Sequence, residues 1–179
     1  RAMRHLFFAE RAVTDVPGLT PADKPREIRR CGIIGSGTMG GGIAMSFVNV
    51  DIPVVLLDVD QASLDRGMAT IRKNYESSVK RGRMTPADVE KRMGLVSTST
   101  KYEDFGDCDL AIEAVFEDMA LKKKIFGELD RVMKPGAILA TNTSTLDINQ
   151  IGSATKRPTD VIGLHFFSPA NVTRLLEIV

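Results

Sequence analysis

The sequence predicts an α/β chain: a doubly wound, mostly parallel sheet with helices on both faces, an inserted helical hairpin, and a linker helix in front. Three observations predict it. From residue 30 onward, short apolar runs alternate with segments of helical periodicity, the pattern of strand–helix–strand units. The first run opens directly onto five glycines within Gly35–Gly42, although glycine is costly to order at a helix start. The last two runs stand about eight residues apart, too few for a parallel crossover, so the final pair is expected to be antiparallel.

With 179 residues the chain can bury a sizeable core in one domain. Hydrophobic residues make up 43%, charged residues 26%, and the net charge is +1. No global imbalance points to nucleic acid or a membrane surface. No apolar run nears the ~18 residues of a spanning helix, and there is no signal-peptide pattern. Bacterial cytoplasm is the expected compartment, with peroxisome and mitochondrion as alternatives. Cys31 and Cys108 are far apart in sequence and read as free thiols. With His5 and His165 as the two histidines, no zinc site is expected.

Met3, Leu6, Phe7 and Val13 fall at helical spacing between Arg1, Arg4 and Arg11, which predicts a linker helix within residues 1–15. Residues 16–29 contain Pro17, Gly18, Pro21 and Pro25, a proline-rich linker. "TPAD" at Thr20–Asp23 resembles a helix start, but Pro25 stops a long helix. The first helix therefore stands outside the main unit, residues 30–179, and reads as the end of an upstream domain. Strands are expected at Cys31–Gly35, Val54–Asp58, Leu95–Ser97, Leu110–Ala114, Ile138–Thr141, Val161–Phe166 and Leu175–Val179. Met39, Ile43, Phe47 and Val50 mark one helix, and Leu64, Met68, Ile71, Tyr75 and Val79 a longer one. A second "TPAD", Thr85–Asp88, offers an N-cap, a proline at the first helical position and an acid at the third. It starts a short helix that completes a hairpin with the long one. Leu121, Ile125, Leu129 and Val132 mark a further helix, stopped by Pro135-Gly136.

Gly35, Gly37 and Gly40 give G-x-G-x-x-G between a predicted strand and a predicted helix, and the next strand ends in Asp58, 21 residues after Gly37. That context is the Rossmann-type dinucleotide fingerprint. Gly35 permits the tight turn, Gly37 lets backbone approach a pyrophosphate, and Gly40 lets the helix pack closely on the strand. Amides at the helix start, those of Thr38 and Met39, together with the helix dipole, hold the negative charge. Asp58 can accept both hydroxyls of the adenosine ribose and would repel a 2′-phosphate. No Arg follows it directly, so NAD is favoured over NADP.

"GIIGSGTMGGGIA", "AIEAVFED", "TNTSTL" and "GLHFFSPAN", in this order, resemble the 3-hydroxyacyl-CoA dehydrogenase family over residues 30–179. The segment "RAMRHLFFAERAV" with its proline-rich link resembles what precedes this module in multifunctional fatty-acid β-oxidation enzymes, where an enoyl-CoA hydratase domain lies upstream. The resemblance implies NAD-dependent oxidation of (S)-3-hydroxyacyl-CoA to 3-ketoacyl-CoA. It implies His165 as catalytic base, Glu177 as its acidic partner, and Ser144 in contact with the reacting oxygen and the nicotinamide side. It places Glu117 and Lys122 near the nicotinamide ribose, with Asn142 in the same loop as Ser144. It also implies coenzyme A contacts on the helical hairpin, where Asn74 and Arg81 stand in place of the family's serine and lysine, and a downstream all-helical domain that closes the cleft. Ser168 stands where some members carry Asn.

Read without the resemblance, the residues allow plainer roles. Imidazole suits proton abstraction at neutral pH, and a carboxylate on its far nitrogen fixes the tautomer. Adjacent antiparallel strands would bring His165 and Glu177 together. Ser144 also suits a helix cap, Glu117 a helix start, and Lys122 a solvated run with Lys123 and Lys124. The cations Lys73, Lys80, Arg81 and Arg83 complement the end of the long helix. Two alternatives remain at this stage: a dehydrogenase of small 3-hydroxy acids, which has no need of His165 before a strand glutamate, and a non-catalytic NAD-binding module.

Overall fold

The structure, a computed structural model, describes residues 2–13, 15–16, 18–20 and 22–179. Arg1, Pro17 and Pro21, which entered the reading of the first helix and linker, lie outside the described residues.

The strands are β1 (Cys31–Ile34), β2 (Val54–Leu57), β3 (Val96–Ser99), β4 (Leu110–Glu113), β5 (Ile138–Thr141), β6 (Val161–Phe166) and β7 (Leu176–Ile178). They form one sheet in the order β3-β2-β1-β4-β5-β6-β7. The first six run parallel, and β7 runs antiparallel to β6. Each expected strand is present with only its ends shifted, as terminal residues commonly are. The short last connection does reverse the chain.

β1, β2 and β4 are buried along their whole length, as strands in a sheet covered on both faces should be; all their residues are apolar or glycine except Glu113, which ends β4. Neighbouring residues serve opposite faces. Ile33, Leu56 and Ile112 pack with Ile43, Leu64 and Ile71 of helices α2 (Thr38–Val48) and α3 (Gln61–Lys80). Ile34, Leu57 and Ala111 pack with Phe126 and Leu129 of α5 (Met119–Val132) and Ile151 of α6 (Ile148–Gly152). The hairpin of α3 and α4 (Pro86–Met93) is inserted between β2 and β3. Its second helix starts as expected: the Thr85 hydroxyl accepts from the Asp88 amide, the Asp88 carboxylate accepts from the Thr85 amide, and Pro86 follows the cap.

The first "TPAD" makes a similar contact, with the Thr20 amide donating to Asp23 Oδ2 at 2.7 Å. No helix follows it among the described residues, because Pro25 blocks propagation and no apolar face is available to bury. α1 (Ala2–Ala12) forms as expected but has no buried residue. The end of the linker is docked. Arg26 donates to the Gly136 carbonyl at 3.0 Å and to Asp160 at 3.1 Å, and the amides of Arg29 and Arg30 donate to Asp109. Those acceptors precede β5, β6 and β4, so the linker meets the edge where the parallel strands begin. The opposite edge, where they end, carries the candidate site.

Candidate active site

At Ile34 the chain leaves β1 and must turn at once into α2. Gly35 makes the turn at φ +98°, a conformation that side-chain-bearing residues avoid. Gly40 completes the junction, since a Cβ there would lie 1.7 Å from the Gly35 carbonyl oxygen. Gly37 is the N-cap of α2 and offers no side-chain acceptor. Asp60, Thr85 and Asp118, by contrast, cap α3, α4 and α5 with side-chain oxygens. The leading amides of α2, those of Thr38 and Met39, are therefore open to an anion, and nothing lies within 4 Å of where a Gly37 Cβ would point. A crevice of about 860 Å³ runs from this loop past Asp58 to Val115 and Phe116 beyond β4. It lies between β1 and β4, where the strand order reverses and open α/β sheets bind ligands. Uncapped amides, open space above Gly37 and a carboxylate at the next strand end fit an adenine dinucleotide.

Asp58 does not stand alone. Its Oδ2 accepts from the Ser36 amide at 2.7 Å and the Ser36 hydroxyl at 2.5 Å, and its Oδ1 accepts from the Val59 amide at 2.7 Å. The carboxylate thus faces the crevice already partly occupied.

A second group of residues lies beyond β4 and β5. Glu113, at the end of β4, is 0% exposed, and Lys122 of α5 is 1% exposed. The ammonium donates to both Glu113 oxygens, at 2.7 and 2.8 Å. Glu113 also accepts from the Val115 amide and the Thr141 hydroxyl. Lys122 is thus enclosed rather than part of a solvated run. Its Nζ also lies 3.4 Å from Glu117. Glu117 in turn accepts from the Thr143 hydroxyl and from the amides of Ser144 and Thr145. Burial opposes its charge, but those hydrogen bonds and the Lys122 ammonium outweigh it and hold the carboxyl down at about 2. The loop that carries Ser144 is thereby tied to the start of α5. Asn142 ties the same loop to β6, its Oδ1 accepting from the Phe166 amide at 2.8 Å.

His165 and Glu177 are paired residues across β6 and β7, so their side chains share one face of the sheet. His165 Nδ1 lies 2.8 Å from Glu177 Oε2. The imidazole is 22% exposed and the carboxylate 55%. His165 makes no hydrogen bond to Ser144 or Glu117. Asn74 and Arg81 lie two turns apart on α3 and at its C-cap. Asn74 reaches toward Met45 Sδ at 3.7 Å, and neither residue lines the crevice.

The family model for the 3-hydroxyacyl-CoA dehydrogenase NAD binding domain matches residues 30–179. The chain belongs to this family. Among curated relatives, it is 47% identical over its full length to a peroxisomal fatty acid beta-oxidation multifunctional protein of Oryza sativa. It is 40% identical over 99% of its length to a fatty acid oxidation complex subunit alpha of Shewanella baltica. It spans 25% of each of those proteins. Among solved structures, (S)-3-hydroxybutyryl-CoA dehydrogenase of Ralstonia eutropha matches with a TM-score of 0.83 at 36% identity, over 85% of this chain and 54% of that one. The relatives include peroxisomal and bacterial proteins. Among the described residues, no helix is long and apolar enough to cross a membrane.

Sequence reasoning passed over Ser36, Arg66 and Glu113. Ser36 fills a variable slot of the glycine motif, where any small residue satisfies the pattern. Arg66 stands eight residues after Asp58, yet the first turns of α3 bring it to the same crevice. Glu113 carried a usable signal: an acid ending the buried run "LAIE" requires a partner, and Lys122 follows nine residues later.

Proposed function

We propose that this chain is the NAD-binding part of an enzyme that oxidises (S)-3-hydroxyacyl-CoA to 3-ketoacyl-CoA in fatty-acid β-oxidation. Residues 30–179 form that unit, and residues 1–15 and the 16–29 linker join it to an upstream hydratase domain in the full-length protein. A downstream helical domain closes the cleft. The observation that carries the reading is the 2.8 Å His165–Glu177 contact on the sheet edge that also bears the dinucleotide cradle.

Gly35, Gly37, Thr38, Met39 and Gly40 seat the diphosphate, and Asp58 receives the adenosine ribose. Glu117, Lys122, Asn142 and Ser144 shape the nicotinamide side. Bound NAD supplies the hydride acceptor. Glu177 accepts from His165 Nδ1, which leaves Nε2 unprotonated to take the proton of the substrate hydroxyl and stabilises the imidazolium that forms. Ser144 donates to the reacting oxygen. Arg81 and Asn74 face the coenzyme A end of the substrate. The smaller 3-hydroxy acid alternative leaves the His165–Glu177 pair without a role.

The test replaces His165 with Gln and follows NADH oxidation with acetoacetyl-CoA alongside NADH binding. Turnover should fall by about 10²–10⁴-fold, with NADH affinity within about twofold of the unaltered protein. Undiminished turnover removes His165 as the base. Unaltered protein that binds NADH but neither reduces acetoacetyl-CoA nor binds it cooperatively is a non-catalytic module.

A further inference from the structure

We propose that Ser36 is a positioning residue that fixes Asp58 for the adenosine ribose and thereby sets the preference for NAD over NADP. The proposal rests on the reading of this crevice as the dinucleotide site. Ser36 is 5% exposed. Its hydroxyl lies 2.5 Å from Asp58 Oδ2 and 2.9 Å from the Ser63 carbonyl oxygen. A hydroxyl has one proton to give, and the carboxylate is the stronger acceptor. Both donors of Ser36, amide and hydroxyl, therefore fall on one oxygen of Asp58, while the Val59 amide occupies the other. A carboxylate accepts at about four positions. Three are taken, and the open position is on Oδ1, so Asp58 suits a single ribose hydroxyl rather than the two expected from the sequence alone. The carboxylate is locked in rotation, and Asp58 is presented ready-aimed.

Ser36 itself is held from behind. A Cβ on Gly67 of α3 would lie 2.6 Å from the Ser36 carbonyl oxygen and 2.7 Å from its Cβ, so the helix is seated directly on this residue. The adjacent Arg66 lines the crevice and donates to the Ser63 hydroxyl at 2.9 Å. The site thus contains the cation that a 2′-phosphate seeks as well as the anion that repels it. Discrimination depends on the carboxylate staying in place; the Ser36 and Val59 amides hold it, and the Ser36 hydroxyl is the third tie that fixes its rotation.

The test is a double-mutant cycle on NADH and NADPH binding by fluorescence, with unaltered protein, S36A, D58A and S36A/D58A. S36A should weaken NADH binding about tenfold, because the ligand must then orient a carboxylate that the protein no longer holds, and narrow the NADH:NADPH preference. In the D58A background the same change should cost less than about twofold. A tenfold loss in both backgrounds assigns Ser36 to the architecture of the phosphate loop and overturns the proposal, as does an unchanged cofactor preference. If unaltered protein binds neither cofactor, the dinucleotide reading of the crevice fails first, and the proposal falls with it.

Discussion

Replacing Lys122 with Met should remove much of the stability of the domain, and the size of the loss follows from the surroundings. Lys122 and Glu113 are 1% and 0% exposed, with the ammonium within 2.8 Å of both carboxylate oxygens. Methionine fills nearly the same volume, so little of the cost is a cavity. What remains is a carboxylate in a dry site with two neutral donors, the Val115 amide and the Thr141 hydroxyl. Breaking one side of a buried pair costs about 3–5 kcal/mol. Against a typical ~5–15 kcal/mol for a whole domain, that is a large share. With a urea m-value of about 2 kcal/mol/M, the midpoint should move down by about 1.5–2.5 M. The E113Q/K122M double variant removes both charges; the Gln carbonyl oxygen can still accept from the Val115 amide, and the Gln NH2 can donate to the Thr141 hydroxyl oxygen, so it should recover most of the loss. Circular dichroism in urea on the four proteins of the cycle gives the coupling energy. If K122M costs less than about 1 kcal/mol, or if the two losses simply add, Glu113 is stabilised by something other than Lys122 and the account of this cluster is wrong.

Two further outcomes follow from the same geometry. Gly40→Ala places a methyl 1.7 Å from the Gly35 carbonyl oxygen, so it should force β1 and α2 apart and lose NADH binding at least about tenfold, with lowered thermal stability; calorimetry showing unchanged affinity would contradict the close seating. The Glu117 carboxyl is lowered from 4.5 to about 2, so it stabilises the fold above pH 4.5, and that contribution is lost as pH falls toward 2. The shift corresponds to at most about 3 kcal/mol, and solvent screening of a side chain 36% exposed reduces the expectation to about 1–2 kcal/mol. The stability gap between unaltered protein and E117Q should therefore close between about pH 4.5 and 2 in urea titrations, and a gap independent of pH would sink the assignment.

Much of the architecture was legible because its causes are local. Strands that are buried on both faces are apolar except where a charge finds a buried partner; Val54–Leu57 is apolar throughout, and Thr85-Pro86 with Asp88 writes a helix start into four residues. The first "TPAD" shows where locality ends: the same letters make the same hydrogen bonds at Thr20 and Asp23 without a helix. The pairing of His165 with Glu177 could be expected once a short connection implied an antiparallel edge. The surroundings of Asp58 could not, because Ser36 meets it from the glycine loop and Arg66 comes to the same crevice from α3. Lys122 was hidden differently. Three consecutive lysines look like solvent-facing charge, and only the turn of α5 decides that the first of them points inward.

The contact between Gly40 and Gly35 has a bearing on how quickly ligand is taken up. A glycine-rich loop left slack would have to be ordered by each arriving molecule, at a cost in affinity. Here the helix start is wedged against the strand end before anything arrives, so the ordering is complete when the protein folds. Uptake should then be governed by encounter and orientation, with no closing of this loop as a slow step.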